Sequence, residues 1–188
     1  MRLERGHDPL VTLRWLMGEM YARFEYRPRS TRVDSPIDEA LETRRGVCQD
    51  FAHVFLALVR PLGVPARYVS GYLFRDIGSS DRSADGATHA WVEVLLPDLG
   101  WVGFDPTNNL VAEDRHVRVA IGRDYADVPP TRGVYKGVSA VRSELGVSVR
   151  VGPVRSPLAS DVVPFTPWMS RDAAAPVRDD EASQQSQQ

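Results

Sequence analysis

The sequence has one cysteine, one lysine, no surplus of basic charge and no long apolar run, and each shortage excludes something. A lone Cys48 cannot form an internal disulfide, and with no CxxC, no HExxH and no close histidine pair along the chain no metal site is expected. Twenty-three Lys+Arg against 25 Asp+Glu leave a formal charge of −2. That is not the balance of a protein that neutralises many phosphates, so no nucleic-acid partner is expected. No stretch approaches the roughly 18 to 20 apolar residues that span a bilayer. The opening MRLERGHDPL is charged where a signal peptide is apolar. The expectations are no membrane partner and a cytoplasmic location. Lysine occurs only at Lys136, so the basic residues are otherwise arginine, for which codon bias is the simplest account. Asp76, Asp81 and Asp85 share a polar loop without the 1-3-5 spacing of an EF-hand, so neither calcium nor any other cofactor is expected.

What is present is enough apolar residue, 43% with 9% aromatic over 188 positions, to bury the core of one domain. From Leu10 to Tyr26 apolar residues recur at three- and four-residue steps, which predicts an amphipathic helix ended by Arg27-Pro28. Ser35-Pro36-Ile37-Asp38 reads as a capping hydroxyl, a first-turn proline and a carboxylate opening a short helix to Thr43. After Gly46 a third helix starts at Cys48 and is apolar nearly all round, hence buried on most sides, until Pro61-Leu62-Gly63 stops it. The pattern then turns to β-branched and aromatic segments at 67–74, 88–95 and 101–105, the last two joined by the turn Pro97-Asp98-Leu99-Gly100 as a hairpin. Further strands are predicted at 116–121 and 145–151, and the glycine-containing stretch between the first two strands is a surface loop beside the site. Helices followed by an antiparallel sheet give an α+β fold in which the buried helix lies against the sheet. We read residues 1–152 as the core domain and 153–188 as an extension, disordered from about residue 170, where proline, alanine, serine and glutamine replace any periodicity.

Cys48 therefore stands at a helix N-terminus, where unpaired N–H groups and the aligned peptide dipoles favour a thiolate and can hold a developing oxyanion. A buried structural cysteine is the alternative, and the polar Gln49 and Asp50 that follow argue against simple packing. A nucleophile needs a base. His7 lies in the charged N-terminal arm; His53 is about 140° round the helix from Cys48, so it points away and reads as a supporting histidine; His116 opens a late strand with no companion nearby. His89, at the start of a strand, is the best candidate. Asp105, at the end of the paired strand, would hold that imidazole, or else make an Asx turn before Pro106. Trp91, Trp101 and Phe104, with Gln49, are candidate groove-lining residues, although aromatics on a sheet are commonly core.

Three segments, TRRGVCQDFAHVFLALVRPLGVPARYVSGYL, THAWVEVLLPDLGWVGFDPTNN and GRDYADVPPTRGVYKG, resemble the core of the bacterial transglutaminase-like proteins of the papain-like cysteine-protease superfamily. The resemblance spans residues from about 10 to 152 and is carried by motifs in the family's order. It implies a catalytic triad of Cys48, His89 and Asp105, spaced 41 and 16 residues apart, and a thioester intermediate. The implied activity is acyl transfer or hydrolysis at a carboxamide or peptide bond, with a peptide or protein as substrate. The rival is a non-catalytic module that keeps the fold and binds a peptide or partner. Many relatives carry a β-rich domain before this core, so a missing N-terminal β-rich domain is a further expected partner.

Overall fold

The computed structural model describes residues 8–32, 35–75, 78–83, 86–130 and 149–152. They belong to the first of two compact units, 1–152; the second is 153–188. His7, Lys136 and the tail expected to be disordered lie outside the described residues, as does most of the strand expected at 145–151, of which 149–151 are not strand.

Helix α1 (Pro9–Arg23) opens with Asp8 accepting from the Leu10 N–H at 2.9 Å and buries Leu13, Met17 and Met20. It ends earlier than the apolar spacing predicts. Phe24 is extended, and Glu25–Tyr26 (β1) pairs in parallel with Arg45–Gly46 (β2). Arg82 secures that end by donating to the carbonyls of Tyr21 and Phe24 with its guanidinium 3.4 Å above the Tyr21 ring. Helix α2 (Ile37–Thr43) begins after Pro36 without the Ser35 cap, because that hydroxyl accepts from the Arg32 N–H instead. Helix α3 (Cys48–Val59) runs into a 3₁₀ turn at Arg60–Leu62, as Pro61 dictates, and Gly63 in the left-handed region stops it. No helix among the described residues is long and apolar enough to cross a membrane.

Five strands form one antiparallel sheet in the order β6-β5-β4-β3-β7, with β3 at Ala66–Leu73, β4 at His89–Leu96, β5 at Gly100–Asp105, β6 at Leu110–Val111 and β7 at His116–Gly122. The expected hairpin is β4–β5, and β6, only two residues long, leaves no sequence signal. The register sorts side chains by face. Ala90, Val92, Val94 and Leu96, with Tyr68 and Phe104, meet Phe51, Phe55 and Val59 of α3 and the buried stripe of α1. Each such large side chain contributes about 1.5–3 kcal/mol by burial. The opposite face carries His89, Trp91 and Glu93 on β4, Asp105 on β5, Arg67 and Gly71 on β3, and His116 and Arg118 on β7. Trp91 fits because its diagonal neighbours on the flanking strands are glycines: a Cβ on Gly71 would lie 2.7 Å from its ring, and one on Gly103 would lie 3.5 Å from its indole nitrogen.

Candidate functional site

The first turn of α3 is fixed from behind. Asp50 folds back so that its Oδ2 accepts from the Val47 N–H at 2.8 Å and from the Thr31 hydroxyl at 2.5 Å. Gly46 permits this, since a Cβ there would stand 2.7 Å from the Asp50 Cβ. The N–H groups of the turn, Cys48 among them, then have no acceptor within the helix. Cys48 is half-buried, and its Sγ lies 3.9 Å from the carbonyl of Thr88, the residue before His89. Helix start and strand start thus converge.

His89 is 3% exposed, and its Nε2 lies 2.8 Å from Oδ2 of the fully buried Asp105. Its Nδ1 is buried and meets no partner at ordinary hydrogen-bonding distance among the described residues, although the Cys48 thiol is near enough to act on the imidazole. Burial opposes a charge on this imidazole, but the charge and hydrogen bond of Asp105, with a contribution from Cys48, outweigh it and hold His89 above the ordinary range. Burial likewise opposes ionisation of Asp105. The charge of His89 and hydrogen bonds from His116, His89 and Asn108 win there too, holding the carboxyl well below the usual carboxylate range.

The two oxygens of Asp105 make different contacts. Oδ1 accepts from the N–H of Thr107 at 3.0 Å and of Asn108 at 3.3 Å, an Asx turn, while Oδ2 receives the imidazole. Oδ2 also accepts the Asn108 amide at 2.8 Å and lies 3.2 Å from Nε2 of His116. His116 thus has a companion after all, contrary to its appearance in the sequence. Asp105 and His116 stand three strand positions apart, roughly 14 Å in a flat sheet. Their contact therefore requires the sheet to coil at this end. Asn108 is the other residue that sequence reasoning missed, although the DPTNN turn offered a signal for it. Its Oδ1 accepts the N–H groups of Arg82 and Ser83, so it binds the polar loop to Asp105.

The remaining candidates separate. Trp91 is buried against both imidazoles, stacked on His89 at 6.1 Å and edge-on to His116 at 5.2 Å. Phe104 is core, packed on Phe55, rather than groove lining. Trp101 pairs with Leu95 at the far end of the hairpin, is 42% exposed and lies under the Arg67 guanidinium, so it does not line this site. Gln49 is half-buried in the first turn of α3. His53 accepts the Tyr125 N–H at 3.1 Å on the helix face away from the thiol, a supporting role as expected. A cleft of about 400 Å³ borders His89, lined also by Arg75, Ser83, Ala87 and Arg150. His89, Asp105 and His116 are residue types that bind metals, with donor atoms within 4.8 Å of one another. Here Asp105 Oδ2 meets both Nε2 atoms at hydrogen-bonding distance, and the set reads as a proton network rather than an open ligand shell.

Residues 3–106 match the family model of the transglutaminase-like superfamily. An uncharacterized protein of Mycobacterium tuberculosis is 43% identical over 152 residues, covering 77% of this chain and 48% of the relative. The chain spans about half the length of the curated relatives it matches. A protein-glutamine gamma-glutamyltransferase of Pseudomonas aeruginosa is 29% identical over 123 residues, 61% of this chain and 18% of that protein. The crystal structure of a candidate cysteine protease from Cytophaga hutchinsonii superposes with a TM-score of 0.56 at 32% identity, over 66% of this chain and 40% of that one. These likenesses support thiol-dependent catalysis in general and the α+β, papain-like fold in particular. With more than half of its residues under that family model, the chain belongs to the transglutaminase-like superfamily.

Proposed function

We propose that this domain carries out acyl transfer or hydrolysis at a carboxamide or peptide carbonyl through Cys48, His89 and Asp105. The observation that carries the reading is the commitment of His89 Nε2 to Asp105, which leaves its other ring nitrogen, the buried Nδ1, to the Cys48 thiol that acts on this imidazole. Nδ1 takes the Cys48 proton, and the thiolate attacks the carbonyl carbon. The resulting oxyanion is met by N–H groups of the α3 first turn, that of Cys48 included. Collapse breaks the C–N bond, the imidazolium gives its proton to the departing amine, and a thioester remains. Water or an acceptor amine, deprotonated by Nδ1, then displaces the sulfur and restores the thiol. A peptide or protein with access to the cleft beside His89 is the substrate in this reading.

The test is turnover of glutamine-containing peptides and simple carboxamides by the parent and by Cys48→Ala, with mass spectrometry of the quenched parent for a thioester at Cys48. Loss of turnover in the variant and an acyl adduct in the parent are expected. Full turnover by Cys48→Ala would overturn the proposal and return the non-catalytic binding module.

A further inference from the structure

We propose that His116 is a positioning residue of this site, donating from Nε2 to keep the buried Asp105 ionised and aimed at His89. The inference rests on the acyl-transfer reading and extends it. Asp105 has no access to water, so its charge survives only on the donors around it. The turn donors Thr107 and Asn108 come from the three residues after it. His116 alone among the non-triad donors comes from another strand of the sheet, and it donates to the same oxygen that receives His89. With its side chain 3% exposed and packed edge-on to Trp91, it is held by the sheet rather than by the turn.

Removing that donor favours a proton on Asp105, and a protonated Asp105 no longer supports an imidazolium at His89. The thiolate–imidazolium pair then forms only at higher pH. The titratable and charged groups around this pair are Asp105 from β5, His116 from β7, Cys48 and Asp50 from α3, Tyr68 from β3 and, along the cleft that borders His89, Arg75 and Arg150. Glu113, Asp114 and Arg115 precede His116 along an outer cleft, where Arg115 is engaged by Asp81.

The experiment is the pH dependence of iodoacetamide alkylation at Cys48 in the parent, His89→Ala, His116→Phe, His116→Gln and His116→Asn, which requires no knowledge of the substrate. In His116→Phe the acidic onset of labelling moves up by about one pH unit, with roughly tenfold slower labelling at the parent's onset. Glutamine places an amide nitrogen near the position of Nε2 and restores the parent profile. Asparagine falls short of Asp105 and behaves like phenylalanine. The Gln–Asn contrast decides the matter even if His116→Phe fails to fold, because a purely structural histidine gives no such split in onset. His116→Phe superimposing on the parent, or Gln and Asn behaving alike, would overturn this inference alone. Parent and His89→Ala labelling identically would instead overturn the Cys48–His89 pairing on which it rests.

Discussion

The non-core face of the sheet holds two carboxylate networks built to the same plan and put to different use. At one end of β4, Asp105 receives two imidazoles, His89 and His116. Two positions beyond Trp91, Glu93 receives two guanidiniums, Arg67 through Nε at 2.8 Å and Arg118 at 3.0 Å. Both carboxylates are buried, and each draws one partner from the adjacent strand and one from β7 farther across the sheet. The partners differ in what they can do with a proton. Arginine stays charged at every accessible pH, so the Glu93 network can only clamp β3, β4 and β7 together. Imidazole can give and take a proton, so the same arrangement around Asp105 is suited to chemistry. Trp91, seated over Gly71 and Gly103, stands between the two.

Exchanging the charges tests that division, and the largest effect is expected at the imidazole end. Asp105→Asn should lower turnover by roughly three to four orders of magnitude, the scale on which such triads respond to loss of the acid. Glu93→Gln, distant from the thiol, should leave turnover within about threefold. Equal losses in a kinetic comparison would erase the distinction. Gly71→Ala attacks the partition, since its Cβ would stand 2.2 Å from the Val117 carbonyl and 2.7 Å from Trp91. A loss of about 2–3 kcal/mol in urea unfolding is expected, on the scale of overpacking. Glu93→Gln should lower stability by about 1–2 kcal/mol, because two guanidiniums lose a shared buried acceptor.

Titration sharpens the comparison further. The stability contributed by His89 is complete below its ordinary value of 6.5 and is lost as pH rises toward about 10. Asp105 contributes above its ordinary value of 3.8 and loses that contribution as pH falls through its lower folded value. Urea midpoints followed upward from pH 6.5 should therefore fall in the parent and in Glu93→Gln, and stay flatter in Asp105→Asn. An unchanged slope in Asp105→Asn would mean that His89 draws its proton from elsewhere. The smallest effect is salt. Arg118, 53% exposed, should contribute only a few tenths of a kcal/mol, and that contribution should shrink as ionic strength rises.

The sequence was most legible where chemistry follows from local pattern. Gly46 before a helix apolar nearly all round located Cys48 at a helix start, and the turn Pro97-Asp98-Leu99-Gly100 between β4 and β5 brought His89 and Asp105 to neighbouring strands. His116 was illegible because its contact depends on β7 adding beyond β3 and on coiling of the sheet, neither of which is recorded in the residues beside it. Trp101 misled for the opposite reason: its neighbours Phe104 and Asp105 are near in sequence, yet a strand of that length carries them to the other end of the sheet. The early end of α1 was set by Arg82, a loop residue about sixty positions away, which no helical periodicity registers.

That arginine has a mechanical consequence. The side chain of Arg82 grips the last carbonyls of α1, while its own N–H and that of Ser83 land on Asn108, whose amide holds Asp105. Helix end, loop and carboxylate are therefore one latch. Loosening α1 from the domain releases Asn108, and with it the acid of the site, so the two should open together and protect their amides from hydrogen exchange to the same degree.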